Sequence, residues 1–100
     1  MFAQLPSGHA VTFDGSFICL KDRGEGRSIT NAAEEQVIQQ LETATAAYGI
    51  DLDRYAVIYR DNMGNWDQLL HRDGRFAGFK SLGGTDDVET AKARASVPVS

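Results

Sequence analysis

The stretch from residue 66 to residue 82 reads Trp66-Asp67-Gln68-Leu69-Leu70-His71-Arg72-Asp73-Gly74-Arg75-Phe76-Ala77-Gly78-Phe79-Lys80-Ser81-Leu82. Two mixed apolar and polar runs meet at Asp73-Gly74, a dipeptide that accepts the positive φ of both central positions of a type I′ turn, so the segment predicts a β-hairpin with a two-residue loop. In that register Arg72 pairs with Arg75, Leu70 with Ala77 and Gln68 with Phe79, while Leu69 and His71 share the opposite face with Phe76 and Gly78. Upstream, Tyr55-Ala56-Val57-Ile58-Tyr59 is rich in β-branched and aromatic residues and predicts a central strand. A turn at Asn62-Met63-Gly64-Asn65 joins it to the hairpin, and the three strands make an antiparallel meander.

Towards the N-terminus, Asp14-Gly15 repeats the turn between the apolar runs 9–13 and 16–21. With those two residues as the loop, Phe13 pairs with Ser16 and Val11 with Ile18, which puts Val11, Phe13, Ile18 and Leu20 on one core-facing side. Residues 22–28 combine two glycines with alternating charge, a loop composition. Thr30 or Asn31 can then cap a long helix, with Asn31 and Glu34 at capping-box spacing. Val37, Leu41, Ala44 and Tyr48, with Ile38 beside them, recur every three or four residues as its apolar stripe, and Glu34, Glu35, Gln39, Gln40 and Glu42 supply the wet side. Gly49-Ile50 predicts a Schellman stop. Past the meander, Gly83-Gly84 breaks the strand, and Thr85 or Asp86 caps a short helix whose inner face is Val88, Ala91 and Ala95.

The order strand, strand, helix, strand, strand, strand, helix predicts an α+β fold: a single antiparallel sheet of about five strands, built from a β-hairpin, a long helix, a three-stranded meander and a short C-terminal helix, with the helices mainly on one face. One domain over residues 1–95 is expected, with residues 96–100 as a frayed tail.

Composition narrows function by exclusion. The 100 residues carry 10 Lys and Arg against 14 Asp and Glu, a net charge of -4, which argues against a double-stranded DNA binder, whose affinity comes from neutralising phosphates. A single cysteine, Cys19, allows no internal disulfide and too few thiols for a cysteine zinc site, so a cytoplasmic setting and a buried, inert thiol are expected. No apolar run approaches the roughly 20 residues of a membrane span. His9 and His71 have no ligand-spaced partner, and Asp61, Met63, Asn65 and Asp67 lack the glycine and distal glutamate of a calcium loop. Neither a nucleophile elbow nor a phosphate loop is present, so the sequence assigns no cofactor, metal or catalytic residue. An enzyme with an acidic site would be marked by a cleft holding two close carboxylates, or His71 beside a carboxylate.

The most informative composition lies between Arg54 and Leu82, where five cations and three anions give +2 against -6 for the rest of the chain. An antiparallel sheet covered mainly on one side leaves part of this meander exposed, and apolar groups rimmed by charge mark protein contacts. Trp66, Leu70, Arg72, Arg75 and Phe79 are therefore the expected interface of a small protein-binding module, with another protein or a second copy as partner. The alternative is single-stranded nucleic acid, stacked on Tyr55, Tyr59 or Trp66 and neutralised by Arg60, Arg72, Arg75 and Lys80.

Overall fold

A computed structural model describes residues 4–6, 9–21, 31–60, 65–85 and 87–96. Strands β1 (Ala10–Asp14) and β2 (Phe17–Lys21) form the first hairpin. Helix α1 (Asn31–Ala47) and a short 3-10 turn (Leu52–Arg54) lead to β3 (Ala56–Arg60). Strands β4 (Asn65–Arg72) and β5 (Arg75–Gly84) form the second hairpin, and α2 (Val88–Arg94) follows. The sheet order is β1-β2-β3-β4-β5, an α+β architecture with the elements the sequence predicts. The loop at 22–28, the caps Thr30 and Asp86 and most of the turn at 62–65 lie outside the described residues.

One pairing departs from the all-antiparallel expectation: β2 and β3 run parallel, with Phe17 opposite Ala56 and Lys21 opposite Arg60. The helix is the reason. A parallel neighbour needs a long return connection, and α1 supplies it as the crossover of a β-α-β unit. As the middle strand, β3 has Ala56 through Tyr59 all buried, which fits a β-branched and aromatic run packed on both faces.

Alternation along β3 divides the core in two. Val57 and Tyr59 join Val11, Ile18, Leu20 and Leu69 beneath Val37, Ile38 and Leu41 of α1. Ile58 turns to the other side, where Trp66 and Leu82 pack with Ala91 of α2, flanked by Phe17, Cys19, Val88 and Ala95. Most of the helix thus covers one face as expected, and the short α2 takes the opposite one. Each fully buried Leu or Ile in these layers contributes roughly 1.5–3 kcal/mol of transfer free energy. On α1 the buried stripe continues through Thr45, whose hydroxyl donates to the Leu41 carbonyl at 2.8 Å, and the expected Tyr48 instead lies 57% exposed. The small hydroxyl fits under the helix because its proton is satisfied one turn back. The Schellman stop is present: Ile50 N–H donates to Thr45 O and Gly49 N–H to Ala46 O. Asp87, one position beyond the expected caps Thr85 and Asp86, caps α2 by accepting from Glu89 N–H.

Both hairpin registers need adjustment. In the first, Phe13 pairs with Ile18 and Val11 with Leu20, so the loop is Gly15-Ser16 and not Asp14-Gly15. Only Gly15 has positive φ there, the pattern of a II′ turn, and because the pairing shifts by two residues the four core residues keep their common face. In the second hairpin Asp73 and Gly74 both have positive φ, 53° and 77°, and Arg72 does pair with Arg75. Beyond His71 opposite Phe76 the ladder skips Ala77, so Leu70 meets Gly78 and Leu69 meets Phe79, replacing the expected pairs of Leu70 with Ala77 and Gln68 with Phe79. A second skip at Leu82 brings Gly83 opposite Trp66. Such one-residue insertions flip every later side chain to the other face of the sheet.

A Cβ on Gly74 would stand 2.7 Å from the Glu42 Cγ of α1, in addition to the strain of its φ. Gly74→Ala is expected to destabilise the protein by about 1–3 kcal/mol in urea unfolding, left-handed strain and the contact together. Adding Glu42→Ala should recover only the contact part.

Candidate functional site

Helix α2 has seven residues, about 10 Å at 1.5 Å per residue, whereas a sheet of five strands is roughly 19 Å wide between its outer axes. It covers Phe17, Cys19, Ile58, Trp66 and Leu82. The chain then leaves α2 and docks Ser96 on the buried side chain of Gln68: Gln68 Nε2 donates to Ser96 O at 2.7 Å, and Ser96 N–H donates back to Gln68 Oε1 at 2.8 Å. Ser96 is therefore held, where a frayed end was expected; residues 97–100 lie outside the described residues. A buried glutamine satisfied at both ends of its amide in effect adds one backbone rung to the face of the sheet.

Past Gln68 no described helix lies over that face. Leu70, half-buried, lies opposite Gly78, which adds no side chain beside it; Arg72 lies opposite Arg75, and Lys80 opposite Gln68. All share the α2 side of the sheet. Arg72, Arg75 and Lys80 are exposed, and Lys80 Nζ donates to Ser96 Oγ at 3.2 Å. Among the described residues neither Arg72 nor Arg75 has a carboxylate within ion-pair distance. Like charges directly opposite on an antiparallel ladder repel.

Of the five residues expected at an interface, the structure groups three. Leu70, Arg72 and Arg75 come together, joined by Lys80. Trp66 does not join them: it is 6% exposed, and its Nε1–H donates to Thr85 O at 2.8 Å, with the Arg60 guanidinium 5.9 Å from the ring centroid. Phe79 is 56% exposed but lies on the α1 side, opposite Leu69, because of the Ala77 insertion. Of the rings proposed for base stacking, Tyr59 is 4% exposed with its edge towards His9, and Tyr55 packs edge-on against Phe13 at 5.9 Å. Tyr59 belongs to the core because β3 is buried on both faces, and Tyr55, partly buried just before β3, packs against the same core. A strand at the sheet's centre has no free side, which alternation in the sequence does not reveal.

Beside the basic face a cleft of about 400 Å³ is lined by Asp53, Tyr55, Gln68, Leu70, His71 and Arg72, among others. It contains the histidine and carboxylate pair that would mark an acidic site: His71 Nδ1 lies 3.5 Å from Asp53 Oδ1. The imidazole faces inward, however. Its Nε2–H donates to Tyr55 O at 2.8 Å, and Nδ1 and Asp53 Oδ1 are both buried. Nε2 is thus committed to a backbone carbonyl, and Nδ1 is turned to the buried Asp53 oxygen, away from the open cleft. Asp53 Oδ2 also accepts from Asp73 N–H at 3.3 Å, so the pair braces the β4–β5 turn against the 3-10 turn. Asp53 carried no signal in the sequence beyond its place in a helix-to-strand connector.

A second charged cluster ties α2 to the first hairpin. The Lys92 ammonium bonds Asp14 and lies 3.3 Å from Glu89 Oε1 and 5.6 Å from the Phe17 ring centroid. Its hydrogen bond to Asp14 raises its pKa above the ordinary lysine value. Cys19 lies nearby, and burial, outweighing the attraction of Lys92, pushes its thiol up, which keeps it protonated and unreactive at neutral pH.

No family model, curated protein or solved structure matches the chain. Among the described residues no helix is long and apolar enough to cross a membrane.

Two outcomes follow from these clusters. Removing the acceptor of the Asp73 N–H frees the β4–β5 turn from the 3-10 turn, so Asp53→Ala is expected to destabilise the fold by roughly 0.5–1.5 kcal/mol in urea unfolding, and Asp53→Asn, which keeps an acceptor, by less. Since the native pKa of Lys92 is raised, the tie's contribution is complete below the ordinary value of 10.5 and is lost as pH rises through the native value. The stability difference between wild type and Lys92→Met, followed by urea unfolding, should stay level from neutral to about pH 10 and shrink above it.

Proposed function

We propose that this chain is a small non-enzymatic protein-binding module, a cytoplasmic regulator, inhibitor or accessory protein that acts by occupying a partner's surface. Its contact region is the open end of the β4–β5 hairpin. The observation that carries the reading is the grouping of Arg72, Arg75 and Lys80 around half-buried Leu70 on a stretch of sheet that no described helix covers. An apolar centre rimmed by arginine suits protein contact, because the apolar group gains from desolvation while the planar guanidinium supplies directed hydrogen bonds. The packing of Trp66 and Tyr59 into the core favours a protein over a nucleic acid, since a base needs a ring face to stack on. The inward-facing nitrogens of His71 favour binding over catalysis. Cys19, protonated and half-buried, suits a reducing compartment.

A photo-crosslinking residue at Leu70, compared with one at Gln36 on the outer side of α1, tests this in the source cell. Adducts specific to the Leu70 probe are expected, and Arg72→Ala with Arg75→Ala should weaken the purified complex at least about tenfold, near 1.4 kcal/mol. Size-exclusion chromatography with light scattering shows whether the partner is a second copy. Adducts from Gln36 alone, or a strict monomer with no adduct from either probe, would overturn the proposal.

A further inference from the structure

The geometry points to an acidic, extended peptide segment as the occupant of the open sheet face, with its carboxylates two residues on either side of an apolar side chain. This rests on the protein-binding reading above and specifies its partner.

Three rungs of the β4–β5 ladder set the spacing. Arg72 faces Arg75, the next same-side rung is Leu70 with Gly78, and the one after is Gln68 with Lys80. Alternate residues of a strand are about 6.6–7 Å apart. The face therefore reads cation pair, apolar, cation at that interval. An extended peptide presents its own alternate side chains at the same interval, so acid, apolar and acid at positions i, i+2 and i+4 meet the arginine pair, the Leu70 rung and the exposed Lys80 end of the third rung, whose Gln68 end Ser96 covers. Gly78 leaves the flank of Leu70 open for the middle side chain.

The two arginines give the first rung its preference. Opposed across the ladder without a carboxylate among the described residues, they repel, and a carboxylate between them removes that repulsion while accepting bidentate hydrogen bonds. Lys80 holds Ser96 Oγ through one proton and retains two more for an acid. The chain's net charge of -4 does not oppose this, because in physiological salt charges beyond about 8 Å are largely screened, and the nearest acids, Asp53, Asp73 and Glu42, belong to the turn and its supports while the three rungs themselves carry only cations. A phosphate backbone also carries spaced anions, yet the middle rung is aliphatic and offers a base no ring.

The probe is a capped peptide with the core Glu-Ser-Leu-Ser-Glu, titrated into the full chain by calorimetry and by amide shifts of β4 and β5. Binding is expected to weaken about tenfold with Gln for both glutamates and to fall steeply with added salt. A variant carrying Arg72→Glu and Arg75→Glu should instead prefer the Lys-Ser-Leu-Ser-Lys counterpart, with Trp66 fluorescence confirming that it is folded. Equal binding of the Gln peptide, no binding of the Glu peptide, or tighter binding of oligouridine would overturn the inference. If the Leu70 crosslinks persist when the peptide fails, the partner's chemistry is wrong and the protein-binding reading stands; if both fail, the reading falls as well.

Discussion

A helix of seven residues cannot cover one side of a five-stranded sheet, and the surface of this protein follows from that shortfall. On the other side α1, seventeen residues and about 25 Å long, reaches across the sheet with Val37, Ile38 and Leu41 inserted between the strands' apolar side chains. Strand β3 is apolar on both sides, so both sides of its surroundings must be closed. Helix α2 does this locally over Ile58, Trp66 and Leu82, and the Gln68 amide extends the cover by one rung through Ser96. Beyond that rung no described helix lies over the sheet, and the side chains there are Leu70, beside Gly78, and the arginine pair.

The same hairpin protects its own edge. Strand β5 is ten residues long and outermost in the sheet, the geometry that invites another chain to add a strand. Two insertions, at Ala77 and Leu82, and the exposed Lys80 interrupt its row of outward N–H and C=O groups. The edge of the hairpin is thereby a poor template for another strand. The turn that sets the face is held from two directions, by Asp53 on Asp73 N–H and by Glu42 packed against Gly74. The backbone that carries Arg72 and Arg75 is thereby tied to the rest of the fold.

What could be read from the sequence was what neighbouring residues determine. Asp73-Gly74 specified its own turn, Gly49-Ile50 its own helix stop, and Val88, Ala91 and Ala95 the inner side of α2, because each rests on a few consecutive φ and ψ values or on one helical period. The parallel β2–β3 pairing depends on where α1 returns the chain, which no local pattern records. The burial of Trp66 is set by α2, nearly thirty residues away at its far end, and the exchange of Thr45 for Tyr48 by the depth of the α1 contact. For Phe79 a signal did exist: a glycine inside a strand marks an irregular ladder, and Gly78, at φ 121°, follows the inserted Ala77. Reading Gly78 that way would have placed Phe79 on the α1 side and separated it from Arg72 and Arg75.

Among the described residues the face around Leu70 is uncovered while the face around Ile58 is closed. Methyl NMR with a soluble paramagnetic agent compares the two directly. Leu70 methyls should relax several-fold faster than those of Ile58 and Leu82, which are 0% and 2% exposed. Leu70 methyls as protected as those of Ile58 would mean that another part of the molecule covers the face, and would contradict the account.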